Sequence, residues 1–151
     1  MSIKVVARNR KAKHEYHLLE TFEAGMVLQG SEIKSIRAGQ INIKQAYIRV
    51  DGEEAWLVEA HIAPYDQASY LNHDPTRQRK LLLHKKEITR MWDEVRRKGT
   101  TIIPTQVYLK KGRAKIEIAL ARGKKLHDKR SALAERDAQR QIERDLRQSG
   151  Y

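Results

Sequence analysis

The sequence predicts a mainly β fold with flanking helices and a basic C-terminal tail. Apolar and polar residues alternate through several short segments, as they do in strands with one buried face. Two short stretches instead show the apolar spacing of an amphipathic helix. After residue 121 the composition shifts, because apolar residues become sparse. The 151 residues therefore fit one compact domain followed by an appended segment.

The chain begins with a short basic arm, residues 1–13, in which arginine and lysine have no acidic neighbour before Glu15. The predicted domain follows over residues 14–121. Its first strand begins near Tyr16, where apolar residues alternate with polar ones as far as Phe22. This period of two indicates a strand with one mostly apolar face.

A short helix and a hairpin come next. Ser31 is the candidate N-cap of the helix, and Gly39 is the residue at which it ends. Asp51 and Gly52 form a hairpin turn signal between two alternating segments. The apolar positions of those segments are Ala46, Ile48 and Val50, then Trp56, Val58, Ala60 and Ile62.

The second half of the domain is predicted to contain a long loop, a helix and another hairpin. Residues 63–80 show no periodicity and include two prolines, so we expect a loop that is functional or mobile. A helix ending at Gly99 follows, with apolar residues at Ile88, Met91, Trp92 and Val95. Strands over 103–109 and 116–120 form the second hairpin, and Pro104 restricts the first of them to an edge or a bulge.

The C-terminal tail, residues 122–151, holds nine basic and five acidic side chains. Its apolar residues form one thin stripe at Ala134, Ala138, Ile142 and Leu146. Such a stripe is too narrow to stabilise an isolated helix. We therefore expect the tail to be disordered when free and helical against a partner.

Five or six short strands around one or two helices suggest a small closed or partly open β-barrel. A five-stranded barrel of the oligonucleotide-binding (OB) type is the natural candidate. A split sheet with helices on one face is the alternative.

Several classes of chemistry are excluded by composition. The chain has no cysteine, and its six histidines lie at no metal-ligand spacing. Carboxylates cluster only at Asp51, Glu53 and Glu54 in the first hairpin turn, where solvated charges are usual. We expect no catalytic residue, no metal and no cofactor. No stretch reaches the roughly 18–20 apolar residues of a membrane span, and the absence of cysteine fits a reducing cytoplasm.

Charge is the most informative feature. The formal net charge of +12 and the pI near 10.0 indicate a polyanionic partner. Three basic groups carry this signal: Arg8, Arg10, Lys11 and Lys13; Arg77, Arg79 and Lys80; Lys110, Lys111 and Arg113. Aromatic residues make up 6% of the chain, too few for a base-stacking platform, and we expect Trp56 and Trp92 to be core residues. Structured RNA, recognised by backbone and shape, is the expected partner.

Four long segments carry a family resemblance. They are NRKAKHEY at 9–16, FEAGMVLQGSEIKSIRAG at 22–39, DPTRQRKLLLHKKEI at 74–88 and ARGKKLHDKR at 121–130. In sequence and order they resemble the SsrA-binding protein family, also called small protein B. The resemblance runs from Asn9 to about Arg130, which makes it far more specific than a single short motif.

The resemblance implies a bacterial, cytoplasmic ribosome-rescue factor that is not an enzyme. Members of the family bind the tRNA-like domain of transfer-messenger RNA (tmRNA, SsrA) and deliver it to ribosomes stalled on messages without a stop codon. The protein replaces the missing anticodon arm, while its tail occupies the decoding site and the empty message channel. In this trans-translation reaction the nascent peptide is tagged. The implied partners are tmRNA, the small-subunit decoding centre with its rRNA, and elongation factor Tu; we expect a monomer.

The resemblance also assigns candidate site residues. Contacts with tmRNA are implied at Asn9, Arg10, Lys11, Lys13, His14, Glu23 and Leu82, and Lys80 is added from its basic group. Glu23 must either order a basic neighbour or accept a hydrogen bond from a base or a sugar hydroxyl. Leu82 has two open interpretations, an RNA contact or a core residue of the Leu81–Leu83 run. The ribosome-binding tail residues are Gly123, Lys124, Lys125, His127, Asp128, Lys129 and Arg130, with His127 stacking on an rRNA base.

Three rival functions remain at this point. A ribosomal or initiation-type RNA-binding barrel would share the charge and the fold but would not need a tail that responds to RNA. A metal-dependent ribonuclease would need converging carboxylates, which the sequence does not supply. A membrane-surface protein would need a helix with a broad apolar face beside this charge.

Overall fold

The computed structural model describes residues 3–65, 72–97 and 99–124. Strands dominate these ranges, and three helices lie between them. The elements in chain order are β1 (Ile3–Arg8), α1 (Ala12–Glu15), β2 (Tyr16–Met26), α2 (Gly30–Arg37), β3 (Ile41–Asn42), β4 (Tyr47–Val50), β5 (Ala55–Val58), β6 (His61–Ile62), β7 (Arg79–Leu82), α3 (Lys85–Val95), β8 (Thr100–Lys110) and β9 (Arg113–Gly123).

Seven strands form one antiparallel sheet in the order β1-β8-β9-β2-β7-β5-β4, and β3 pairs separately with β6. The β4 strand also contacts β8, although four strands separate the two in the sheet order. The sheet therefore curls back on itself. The prediction of a mainly β protein with flanking helices is confirmed, and the curled sheet agrees with an OB-type barrel rather than with the alternative, a split sheet with helices on one face.

The inner face of the curled sheet forms the core. Alternate residues of the long strands are fully buried there, because a period of two sends every second side chain to the same side. The α3 helix covers the core with Ile88 and Met91, while Trp92 and Val95 pack at its margin. The largest fully buried aliphatic side chains are Ile36, Ile43, Leu57, Ile62, Leu81, Ile102, Ile116, Ile118 and Leu120. Each contributes about 1.5–3 kcal/mol by leaving water.

The long β8 strand lies inside the sheet, between β1 and β9, and its register shifts between Pro104 and Gln106. Proline has no N–H to donate to a ladder, so a central strand accepts it only where the pairing is interrupted. Of the two placements predicted for Pro104, an edge strand or a bulge, the structure has the bulge. A second register shift, between Leu18 and Glu20, leaves Leu19 exposed in β2.

Both predicted domain boundaries need correction. The sequence predicts an arm over residues 1–13, but Ile3–Arg8 forms β1 and pairs with β8. The apolar run in this strand is short and lies between charged residues, so the local pattern does not predict a strand. Its pairing with the distant β8 identifies it as one. At the other end β9 continues to Gly123, with Arg122 opposite His17, so the domain extends beyond residue 121. The Lys124 N–H also donates to the Glu15 carbonyl at 2.9 Å.

The start of α2 differs from the prediction. Gln29, not Ser31, is the N-cap, and the Glu32 side chain accepts from the Gln29 N–H at 2.7 Å to complete a capping box. Ser31 instead forms a hydrogen bond with His73 Nδ1 at 2.8 Å. The predicted end is correct, because Gly39 adopts a positive φ of 76° that favours glycine.

Trp56 is not a core residue. It is half-buried, whereas Leu57 on the opposite face of β5 is fully buried. The alternation changes phase at Glu59, whose positive φ of 61° breaks the strand and returns Ala60 and Ile62 to the core. Alternation extended across such a break places the residues before it, including Trp56, on the wrong face of the strand. Trp92 is also half-buried, packed against the core with Arg96 stacked on its ring.

Candidate nucleic-acid interface

The candidate site residues assemble on the outer face of the sheet, the face opposite the core. Residues paired across antiparallel strands share a face, so the register defines rows. One row consists of Arg8, Gln106, Glu117 and Glu23. The next consists of Val5, Tyr108, Lys115, Gly25 and Leu82. The register thus joins the N-terminal strand to Glu23 and Leu82, which are far apart in sequence.

The α1 helix lies on one end of the outer face. Its Ala12 is buried against Ile103 and Ala121, with Tyr16 and Leu18 packed beside them. This contact fixes one side of a very short helix, and the basic side chains on its other sides and in the two residues before it remain exposed. They are Arg10, Lys11, Lys13 and His14. The structure therefore keeps all four of these predicted contacts accessible to a ligand.

Asn9 anchors that helix to the bulge in β8. Its backbone N–H donates to the Thr105 carbonyl at 2.8 Å, and its Nδ2 donates to the Pro104 carbonyl at 3.2 Å. Its buried Oδ1 has no hydrogen-bond partner among the described residues. Asn9 consequently positions the basic helix and leaves one acceptor without a protein partner.

Glu23 lies in the middle of the outer face and is held by two neighbours. The Tyr108 hydroxyl donates to Glu23 Oε2 at 2.5 Å, and Lys110 Nζ lies 3.5 Å from the same oxygen. The hydrogen bond from Tyr108 is the largest effect on the pKa of Glu23 and lowers it from its usual 4.5. Burial raises the pKa by less than this bond lowers it, and Lys110 and Lys115 lower it further. Burial and the bond to Glu23 raise the pKa of Tyr108. Glu23 is therefore an ionised, oriented acceptor.

Lys80 and Leu82 share one depression of about 530 Å³ with Glu23 and Lys115. Leu82 is 55% exposed, whereas Leu81 beside it is 2% exposed. The β7 strand sends Leu81 into the core and Leu82 outward, so Leu82 is not a core residue. Lys80 lies on the same side as Leu82, with its Nζ 3.8 Å from Glu54 Oε2. Gly25 forms part of the floor, and its lack of a side chain keeps the depression open.

Arg79, one residue before Lys80, has a different role from the phosphate contact that the charge pattern predicts. It is fully buried, and its Nε lies 2.7 Å from Glu32 Oε2. It also donates to the carbonyls of Ala60, Asp74 and Pro75. A cation with every donor group directed into the protein is unavailable to RNA. The alternation of β7 accounts for this, since it buries Arg79 and exposes Lys80.

Arg77 belongs to the same buried network. Its Nη2 lies 2.5 Å from Glu32 Oε1, so a single carboxylate receives two guanidinium groups. Burial raises the pKa of Glu32, but hydrogen bonds from Arg77, the Gln29 backbone and Arg79 outweigh it and leave the pKa below 4.5. Of the basic group at 77–80, only Lys80 directs its charge to the outer face, where it lies exposed beside Glu54.

Two outer-face residues, Lys115 and Tyr108, were not identified from the sequence. Lys115 lines the depression with Glu23 and Leu82, and Tyr108 orients Glu23. Their positions in alternating strands predict exposure of Lys115, but nothing local pairs either residue with Glu23. The turn between β8 and β9, with Lys111, Gly112 and Arg113 exposed, adds the third predicted basic group to the end of this face.

The tail is represented only by its beginning. Gly123 ends β9 opposite Tyr16, and Lys124 is held through its backbone. Lys125, His127, Asp128, Lys129 and Arg130 lie outside the described residues. Within the described ranges, no three histidine, aspartate or glutamate side chains cluster closely enough to hold a metal ion, and no helix is long and apolar enough to cross a membrane.

Comparison with known proteins identifies the family. A protein-family profile described as "SmpB protein" matches residues 6–148. The chain belongs to the SmpB family. It is 58% identical over 146 residues to the SsrA-binding protein of Roseiflexus castenholzii (strain DSM 13941 / HLO8), covering 96% of this chain and 92% of the relative. It is 54% identical over 144 residues to that of Desulforudis audaxviator (strain MP104C), covering 95% and 94%.

A solved structure is also similar. It is described as "tmRNA-SmpB: a journey to the center of the bacterial ribosome", and it matches with a TM-score of 0.68 and 46% sequence identity. The match covers 84% of this chain and 93% of the solved chain. The family resemblance carried by the four sequence segments is thus confirmed, and it extends to the fold.

Proposed function

We propose that the protein binds the tRNA-like domain of tmRNA through its outer face and acts in trans-translation, the rescue of stalled ribosomes. Membership of the SmpB family supports this proposal, as do relatives named for binding SsrA. The similar solved structure, whose description joins tmRNA, SmpB and the bacterial ribosome, supports it independently.

One structural observation carries the proposal further: strand register and the packing of α1 bring the basic N-terminal block (Arg8, Arg10, Lys11 and Lys13) to the same face as Glu23 and Leu82. The basic side chains of that block and Lys80 neutralise phosphates. Glu23 is ionised and oriented, so it accepts hydrogen bonds from a sugar 2′-hydroxyl or a base amino group. Leu82 adds apolar contact beside it. Together these groups recognise a folded RNA by backbone and shape.

The remaining partners extend the proposal. The tail, from Gly123 through Arg130 and beyond, enters the decoding site and message channel of the small subunit, with His127 stacking on rRNA and Lys124, Lys125, Lys129 and Arg130 neutralising its phosphates. The protein acts as a monomer in the cytoplasm, within a delivery complex that includes elongation factor Tu. It supplies binding and shape, and it catalyses no reaction itself.

The first test is a fluorescence-anisotropy titration of the full chain with the labelled tRNA-like domain of tmRNA. The buffer is near physiological salt and contains excess ordinary tRNA. Tight binding that survives the competitor is the expected result. Binding abolished by tRNA would mean that the surface has only general RNA affinity, and a ribosomal RNA-binding barrel would then be the better description.

The division between barrel and tail needs a second test. Truncation after Lys124 keeps β9 and the Lys124–Glu15 backbone bond, which a cut at residue 121 would remove. The truncated chain is expected to bind tmRNA nearly as well as the full chain and to fail in peptide tagging in a reconstituted translation system. Equal loss of both activities, with the barrel still folded by circular dichroism, would contradict this division.

A further inference from the structure

Lys44 lies in the connection between β3 and β4, where its N–H donates to Asn42 Oδ1 at 2.9 Å in a tight turn. No sequence motif singles it out. The fold, however, brings it to the N-terminal block, more than thirty positions away. Lys44 and Lys11 line the same two neighbouring depressions. Lys44 is exposed, and within the described ranges it forms no ion pair.

The larger of these depressions has a volume of about 640 Å³ and runs along β1, at the edge of the sheet. Four basic residues line it, and among the described residues no carboxylate does: Arg8, Arg10, Lys11 and Lys44. Like charges held together without an acid repel one another, which disfavours the unliganded protein. An edge strand also presents backbone N–H groups that have no sheet partner, and these are further donors to an anion.

We propose that this larger depression binds the RNA phosphate backbone and that Lys44 contacts the RNA there. The interface would then extend from the outer face around the β1 edge of the sheet. The inference rests on the proposed function, because it assumes that the ligand is the RNA bound by the outer face. Charge favours this occupant, since the four uncompensated cations attract a polyanion, whereas an extended peptide without acidic side chains that added to β1 would gain nothing from them.

A quantitative test compares Lys44→Ala with Lys86→Ala, a matched loss of one exposed lysine on α3. Binding of the tRNA-like domain is titrated at several salt concentrations. Lys44→Ala is expected to weaken binding about threefold to tenfold and to reduce the slope of log K against log salt by about one. Lys86→Ala is expected to change neither, and Lys44→Arg to retain most of the affinity. Wild-type affinity and slope in Lys44→Ala would overturn the inference.

Thermal unfolding separates a binding role from a structural one. Removing one of four clustered cations is expected to leave the melting temperature unchanged or slightly raised, so weaker binding would appear without lost stability. A lower melting temperature together with an unchanged salt slope would contradict the proposal. Failure of the wild-type chain to bind the tRNA-like domain would instead reject the proposed function, and this inference with it.

Cross-linking gives a positive readout. The chain has no cysteine, so Lys44→Cys provides a unique site for a thiol-reactive photo-cross-linker, and Lys86→Cys provides the matched control. Irradiation of the complex with the tRNA-like domain is expected to join RNA to position 44 and not to position 86. Equal yields at both positions, or none at position 44 in a complex that forms, would contradict the contact.

Discussion

The Tyr108 hydroxyl donates to Glu23 Oε2 across a sequence separation of 85 residues, and it spans from β8 over β9 to β2. Tyr108 is almost fully buried, whereas the Glu23 side chain is 41% exposed. A rigid donor thus holds an accessible carboxylate at the centre of the outer face. This arrangement orders the acceptor before RNA arrives and reduces the entropy lost on binding.

Tyr108→Phe tests that preorganisation. The ring and its packing remain, but the donor to Glu23 is lost. Binding of the tRNA-like domain is expected to weaken about twofold to twelvefold, the range of a net hydrogen bond worth about 0.5–1.5 kcal/mol. Tyr65→Phe, which also removes one tyrosine hydroxyl but leaves the bond between Tyr108 and Glu23 intact, is the control in the same anisotropy titration. Unchanged affinity in Tyr108→Phe would show that Glu23 needs no orienting donor.

The pH dependence follows from the lowered pKa of Glu23. A carboxyl group with a lower pKa in the folded state stabilises the protein fully above its unfolded pKa, near 4.5, and this stabilisation is lost as pH falls through the folded pKa. Tyr108→Phe is expected to move the pKa of Glu23 upward, so its protonation begins at higher pH. An NMR titration of the Glu23 side-chain carbon measures the shift. An identical titration curve in both proteins would contradict the assignment.

The buried Glu32 network governs stability rather than RNA binding. Glu32→Gln leaves the buried Arg79 guanidinium without a carboxylate, and removal of one partner from such a pair costs about 3–5 kcal/mol. Asp93→Asn removes an exposed pair with Arg96 and is expected to cost less than about 1 kcal/mol. Urea denaturation measures both. Similar small losses in the two variants would mean that Arg79 finds other compensation.

Leu82 and Leu81 provide a matched pair on one strand. Leu82→Ala removes an exposed side chain, so the free energy of unfolding is expected to change by no more than about 0.5 kcal/mol while RNA affinity falls. Leu81→Ala creates a core cavity and is expected to cost about 2–5 kcal/mol. Denaturation and RNA titration of both variants separate the roles. Full RNA affinity in Leu82→Ala would remove it from the interface.

Much of the fold could be predicted from local pattern. The alternation of apolar residues, the turn at Asp51 and Gly52 and the helical spacing from Ile88 to Val95 each depend on neighbours within a few positions. The failures have physical causes. The β1 strand was missed because its short apolar run lies among charged residues and its pairing partner, β8, is distant in sequence. The face of Trp56 was predicted wrongly because the backbone break at Glu59 shifts the alternation by one residue.

The sequence by itself determined the family, the mainly β class and the basic character of the surface, because composition, periodicity and long motifs are properties of the chain alone. Only the tertiary structure decided which charges are available. It buried Arg79 against Glu32, projected Lys80, and brought Lys44 to Lys11 and Tyr108 to Glu23. The reason is register: strand pairing over tens of residues sets which side chains share a face, and no local pattern records that choice.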